Sequence, residues 1–136
     1  MNHTVIHDIQ TFLLTFVLLT FSLVFDWLCQ TNNQAENKAN RTLTRATHAI
    51  IYVLLTMVVF WIFHYYTYRQ LVVIAVLLFV THFFIDQRDI TLFWIRRIKC
   101  VPDEQIAKEQ WLIIVVDQCL HIVVNFIIAF LIVLSP

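Results

Sequence analysis

The run WLIIVVDQCLHIVVNFIIAFLIVL (111–134) is apolar along most of its length, yet it carries Asp117, Gln118, His121 and Asn125. A helix needs about 20 mostly apolar residues to cross a hydrocarbon core about 30 Å thick, and this run supplies them. The polar residues recur at spacings of three and four, so on a helix they share one face. A charged side chain at the centre of such a helix costs about 2.5–3.5 kcal/mol on insertion scales. That face is therefore expected to turn toward other helices and away from acyl chains.

Three more stretches read the same way. Residues 9–28, 46–66 and 71–86 are long and apolar, and each carries a sparse polar stripe. The first holds Thr11, Thr15, Ser22 and Asp26, with Gln30 just beyond; the second holds His48, Tyr52 and Thr56; the third holds His82 and Asp86. Four apolar helices with one polar stripe each predict an all-α, four-transmembrane-helix bundle whose interior holds the polar groups. A single integral membrane domain, 1–136, is the expected organisation. The third span is short, and ITLFWIRRIK (90–99) follows it. Large apolar residues mixed with Arg and Lys fit an interfacial amphipathic helix between spans three and four; a plain continuation of span three fits as well. Pro102 followed by Asp103 and Glu104 predicts a helix start, so the fourth helix is expected to begin two turns before its apolar run.

Composition agrees. Of 136 residues 60% are hydrophobic, against about 45–50% in a soluble domain. The formal net charge is zero, which argues against nucleic-acid binding through overall charge. Membrane lipid is the expected surrounding, with a homo-oligomer or a membrane-protein partner as expected company. Cys29, Cys100 and Cys119 form no paired motif and read as free thiols. The opening MNHTVIHD lacks Lys and Arg, so the first apolar run is expected to stay rather than be cleaved as a signal peptide.

Charge placement sets the orientation. Loop 29–45 carries Lys38, Arg41 and Arg45; connection 87–110 carries Arg88, Arg96, Arg97, Lys99 and Lys108; only Arg69 lies in the opposite turn, TYRQ (67–70). The positive-inside rule then places both basic loops in the cytoplasm and both termini outside. His64, among Tyr65, Tyr66 and Tyr68, reads as a residue of the opposite interfacial belt.

At a rise of about 1.5 Å per residue, Asp26, His48, His82, Asp86, Asp117 and His121 all fall near the basic-loop end. The pairs His82-X3-Asp86 and Asp117-X3-His121 run in mirrored order on antiparallel helices. Three carboxylates and three imidazoles at one depth suit a divalent metal such as Zn, Mn or Fe, and such an ion supports hydrolysis of a membrane-associated substrate. No spacing defines a catalytic base. The same groups also make a structural hydrogen-bond network, with Gln30, Gln118, Asn125 and Tyr52 completing it, in a bundle that acts through lipid or protein partners. Intramembrane Asp and His also mark ion or proton pathways, which here require an oligomer.

These residues resemble the domain of unknown function 3307, an uncharacterised bacterial and phage membrane family. The resemblance rests on the acid and Gln of FDWLCQ (Asp26, Gln30), on His48, on THFFID (His82, Asp86) and on VDQCLH (Asp117, Gln118, His121). AENK (35–38) after the first span is similar too. The resemblance spans almost the whole chain and implies which residues matter, without implying a substrate. Ser22 and Phe25 stand where family members carry His and Gly, which removes a ligand from a two-metal shell.

Overall fold

The structure, a computed structural model, describes residues 3–63 and 66–134. His64 and Tyr65 of the expected aromatic belt lie outside the described residues. Among the described residues the chain forms α1 (His3–Leu28), α2 (Asn32–Asn37), α3 (Thr42–Phe63), α4 (Tyr68–Ile85), α5 (Asp89–Phe93) continuing into a π-helical turn (Trp94–Ile98), α6 (Asp103–Lys108) and α7 (Trp111–Val133). Four of them, α1, α3, α4 and α7, are long and apolar enough to cross a membrane. The shortest, α4, has 18 residues and spans about 27 Å, close to the hydrocarbon thickness.

The termini of these helices differ from the apolar runs for local reasons. Helix α1 is already formed at His3, ahead of residue 9, because residues 3–8 contain no Gly or Pro to stop it. Helix α3 begins at Thr42 rather than 46 and is described to Phe63 rather than 66. The TYRQ tetrapeptide is a helix start rather than a turn. The Thr67 hydroxyl accepts from the Gln70 backbone N–H, and the Gln70 side chain accepts from that of Thr67. The same capping box, Thr31 with Gln34, starts α2 inside what composition alone reads as a polar loop.

After α4 the chain turns through Arg88, whose φ of 67° is left-handed. A second such residue, Cys100, has φ 54°. The chain has no Gly, so both positions carry a Cβ in a region that costs about 1–2 kcal/mol. Arg88 separates α5 from α4, which resolves residues 90–99 as a distinct helical element and not a continuation of span three. Ile95 of that element is buried, while Phe93, Trp94 and Ile98 are exposed. With Ile106 of α6 it packs on Leu112 and Val116 of α7. Helix α6 starts after Pro102 as expected but stops at Lys108. The backbone of Glu109 leaves the helical region, and α7 begins afresh at Trp111, so the fourth span does not start two turns early.

The four long helices form a ring in the order α1, α3, α4, α7, with α7 closing on α1. Leu19, Tyr52, Phe60, Ile74, Leu78 and Ile128 fill its centre. The exterior inverts the soluble pattern. Thr15, Ser22 and Thr56 are fully buried, while Val17, Leu54, Val76 and Val123 are each more than half exposed. The buried hydroxyls satisfy themselves on their own helices. Thr15 donates to the Thr11 carbonyl (2.7 Å), Ser22 to that of Leu18 (2.8 Å) and Thr56 to that of Tyr52 (2.8 Å). An apolar exterior around hydroxyl-bearing contacts is what a lipid solvent selects.

Candidate metal centre

Each long helix delivers a buried or largely buried His or Asp to one end of the ring. Asp26 lies in the last turn of α1, His48 in the second turn of α3, and His82 in the last turn of α4, with Asp86 as that helix's cap. All four are 1–2% exposed. On α7, His121 is 3% exposed and the Asp117 side chain is 14% exposed. The structure thus gathers all six residues that the sequence places at one depth.

Four donor atoms face one another. His48 Nε2 lies 2.8 Å from Asp26 Oδ1, 3.4 Å from Asp86 Oδ2 and 3.2 Å from His82 Nε2. His82 Nε2 lies 3.3 Å from Asp86 Oδ2 and 3.7 Å from Asp26 Oδ1. A tetrahedral ion with bonds near 2.0–2.1 Å holds its ligands about 3.3–3.4 Å apart. The five separations bracket that edge length, so these side chains fit a divalent cation. A second group, Asp86, Asp117 and His121, also brings one ligand atom each within 4.8 Å of the others. His121 Nδ1 is 2.9 Å from the Asp117 backbone carbonyl and 3.6 Å from its carboxylate.

Lys38 is the residue that charge counting misplaces. Positive-inside bookkeeping treats it as a solvated loop charge, yet it is only 8% exposed. Its Nζ lies 3.1 Å from Asp26 Oδ1, 3.0 Å from Asp86 Oδ1 and 3.3 Å from His48 Nε2. Burial pushes the ammonium's pKa down, but the Asp86 and Asp26 carboxylates outweigh it and hold the group above its usual range. Arg45, itself buried, fixes the corner that presents Lys38. It donates to the backbone carbonyls of Lys38 (3.2 Å) and Ala39 (3.0 Å), and its guanidinium stacks 4.6 Å over the Phe83 ring. The signal in the sequence was AENK, whose last residue is Lys38.

The remaining polar residues divide. Gln118 donates to Asp26 Oδ2 (3.2 Å) and to Asp117 Oδ2 (3.4 Å). Tyr52 joins through its ring, stacked on His82 at 4.2 Å and 9°. The Asn125 amide donates to the Leu19 carbonyl (3.0 Å), bracing α7 on α1, and its side chain lies beside the Tyr52 hydroxyl. Gln30 makes no hydrogen bond through its buried Oε1 among the described residues and instead lines a cavity. Thr91 of α5, which sequence reading overlooks, is fully buried and donates to Asp117 Oδ1 (3.4 Å). Ser22 bonds back to its own helix and takes no part.

The cavity, of about 200 Å³, is partly open and lined by Asp26, Asp86 and Asp117 together with Lys38, Arg88 and Gln118. Its lining thus joins three carboxylates to two cations, of which Lys38 is buried against Asp26 and Asp86 and Arg88 is half-buried. Such a chamber offers ligands to a cation and, through Arg88, a partner to an anionic group. No curated protein and no solved structure matches the chain. A family model does: Protein of unknown function (DUF3307) matches residues 13–136, nearly the whole chain, and the chain belongs to that family.

Proposed function

We propose that this membrane protein holds a divalent metal ion, Zn, Mn or Fe, on Asp26, His48, His82 and Asp86, and that the site supports hydrolysis of a membrane-associated substrate. The observation that carries the reading is the set of five donor separations, 2.8–3.7 Å, around one point. A bound ion there would supply Lewis-acid polarisation and an activated water. The protein's own part is to exclude lipid with the ring of α1, α3, α4 and α7 and to present Arg88, which lines the cavity, to an anionic headgroup or phosphate, while Lys38 stays on the Asp26 and Asp86 carboxylates.

The basic-loop end is proposed to face the cytoplasm of a bacterium, with both termini outside. Arg41, Arg96, Arg97, Lys99 and Lys108 are exposed at that end, as the positive-inside rule asks. Lipid covers the apolar exterior in this reading, and a second copy or another membrane protein packs against it.

One observation favours a second reading, a structural network. Lys38 already sits within 3.1 Å of two carboxylates and neutralises charge without an ion. Conduction through one bundle has less support, because Leu19, Phe60, Ile74 and Ile128 fill the interior beyond Tyr52. Elemental analysis of detergent-purified protein decides between the first two. The metal reading expects stoichiometric metal that survives gel filtration. It also expects Asp26→Asn to weaken Zn or Mn binding beyond the about 10–100-fold that outer partners of a metal site cost. Protein that stays metal-free in excess Zn, Mn and Fe(II), with a melting temperature indifferent to chelator, assigns the cluster to the network.

A further inference from the structure

We infer a second divalent cation site, formed by Asp86, Asp117 and His121, with the Asp86 carboxylate bridging it to the first. The inference rests on the metal reading above. The first ion draws its protein ligands from Asp26, His48, His82 and Asp86, and this leaves Asp117 and His121 unused. Both are nonetheless arranged as ligands.

His121 is almost wholly buried, and its Nδ1 is 2.9 Å from the backbone carbonyl of Asp117, one turn earlier on α7. An Nδ1–H donated to a carbonyl leaves Nε2 as the bare lone pair, the usual arrangement of a metal-binding imidazole. His121 Nε2 is buried and has no hydrogen-bond partner among the described residues. A buried acceptor left in that state is costly unless something fills it. Asp117 is braced from two sides, by Thr91 Oγ1 and by Gln118 Nε2, each at 3.4 Å. These are the outer contacts that orient a ligating carboxylate.

Asp86 belongs to both ligand groups. Its Oδ2 faces the imidazoles of His82 and His48 at 3.3 and 3.4 Å, while its Oδ1 faces the Lys38 ammonium at 3.0 Å. Oδ1 is thus not committed to the first group, and it is the oxygen, now on the Lys38 ammonium, left to reach a second ion. The rings of His82 and His121, one from each group, are 4.6 Å apart. Asp86 and Asp117 also line the same cavity, so both ions would be reached from it. Two ions a few ångströms apart form the clamp used in two-metal hydrolysis of phosphate esters.

Mn(II) titration of the purified full chain in detergent, followed by calorimetry and by electron paramagnetic resonance, tests this. Two equivalents with spin-coupled signals are expected in the wild type. His121→Ala and Asp117→Asn are each expected to reduce the count to one and abolish the coupling, with circular dichroism confirming the fold. A wild type that saturates at one equivalent overturns the second site and leaves the first standing. A wild type that binds no Mn(II), Zn(II) or Fe(II) removes the first as well. Two equivalents retained in both variants would overturn the assignment of these ligands.

Discussion

At the Asp26–Asp86 end of the bundle, polar side chains meet other side chains across helices. At the Thr15–Phe60 end, they mostly return to their own backbone. Thr15, like Ser22 and Thr56 nearer the middle, finds a carbonyl one turn back, and its one long-range bond, to the Tyr66 hydroxyl at 2.9 Å, is a supplement. Phe60 fills the space beside it, against Tyr66. The difference follows from chemistry. A hydroxyl both donates and accepts and can satisfy itself on an i−4 carbonyl. A carboxylate only accepts, and a helix interior has no spare N–H to offer it. Burying Asp26 therefore draws Lys38 of the α2 corner, His48 of α3 and Gln118 of α7 to it, so the charged end adds cross-helix side-chain bonds to the apolar packing of the ring.

The broadest way to sharpen the comparison is to ask which end meets which compartment. Cys29 and Cys100 are both exposed at the basic-loop end. In a Cys119→Ser background, a membrane-impermeant maleimide is expected to label both in inverted vesicles and neither in intact spheroplasts. The reverse pattern would turn the proposed orientation over.

The next effect is energetic. Lys38→Met leaves Asp26 and Asp86 buried without their ammonium, and breaking a buried pair from one side costs about 3–5 kcal/mol. Unfolding in detergent with chelator present should show a loss of that size, and excess Zn(II) should recover much of it. A variant as stable as wild type in chelator would mean that the ion pairs contribute nothing. At the opposite end the same kind of experiment should barely register. Thr15→Val removes the bond to Tyr66 and is expected to cost about 0.6 kcal/mol, the average of measured interhelical hydrogen bonds in membranes. A loss above roughly 2 kcal/mol would erase the contrast between the ends.

Much of this was legible in the sequence because lipid restricts the options. Apolar length gave the four spans, and the i, i+4 pairs His82–Asp86 and Asp117–His121 gave a shared depth. What stayed hidden has a common cause. Lys38 and Thr91 ride on or beside helices of five or six residues, too short to show a period, and their aim depends on tertiary contacts such as Arg45 against Phe83. Asn125 belongs to the polar stripe of α7, but a stripe does not say which neighbour it meets, and here it meets α1. The Thr-x-x-Gln boxes at Thr31 and Thr67 were readable as helix starts; reading their polarity as loop obscured them.

Asp26, Lys38 and His48 lie within one early stretch of chain, and the ammonium comes from a corner outside the four candidate spans. A nascent α1–α3 hairpin can therefore balance its own buried charge while α4 and α7 are still on the ribosome. The costliest side chain of the first span needs no later helix to be tolerated, and the second pair of helices docks onto a half that is already electrically settled.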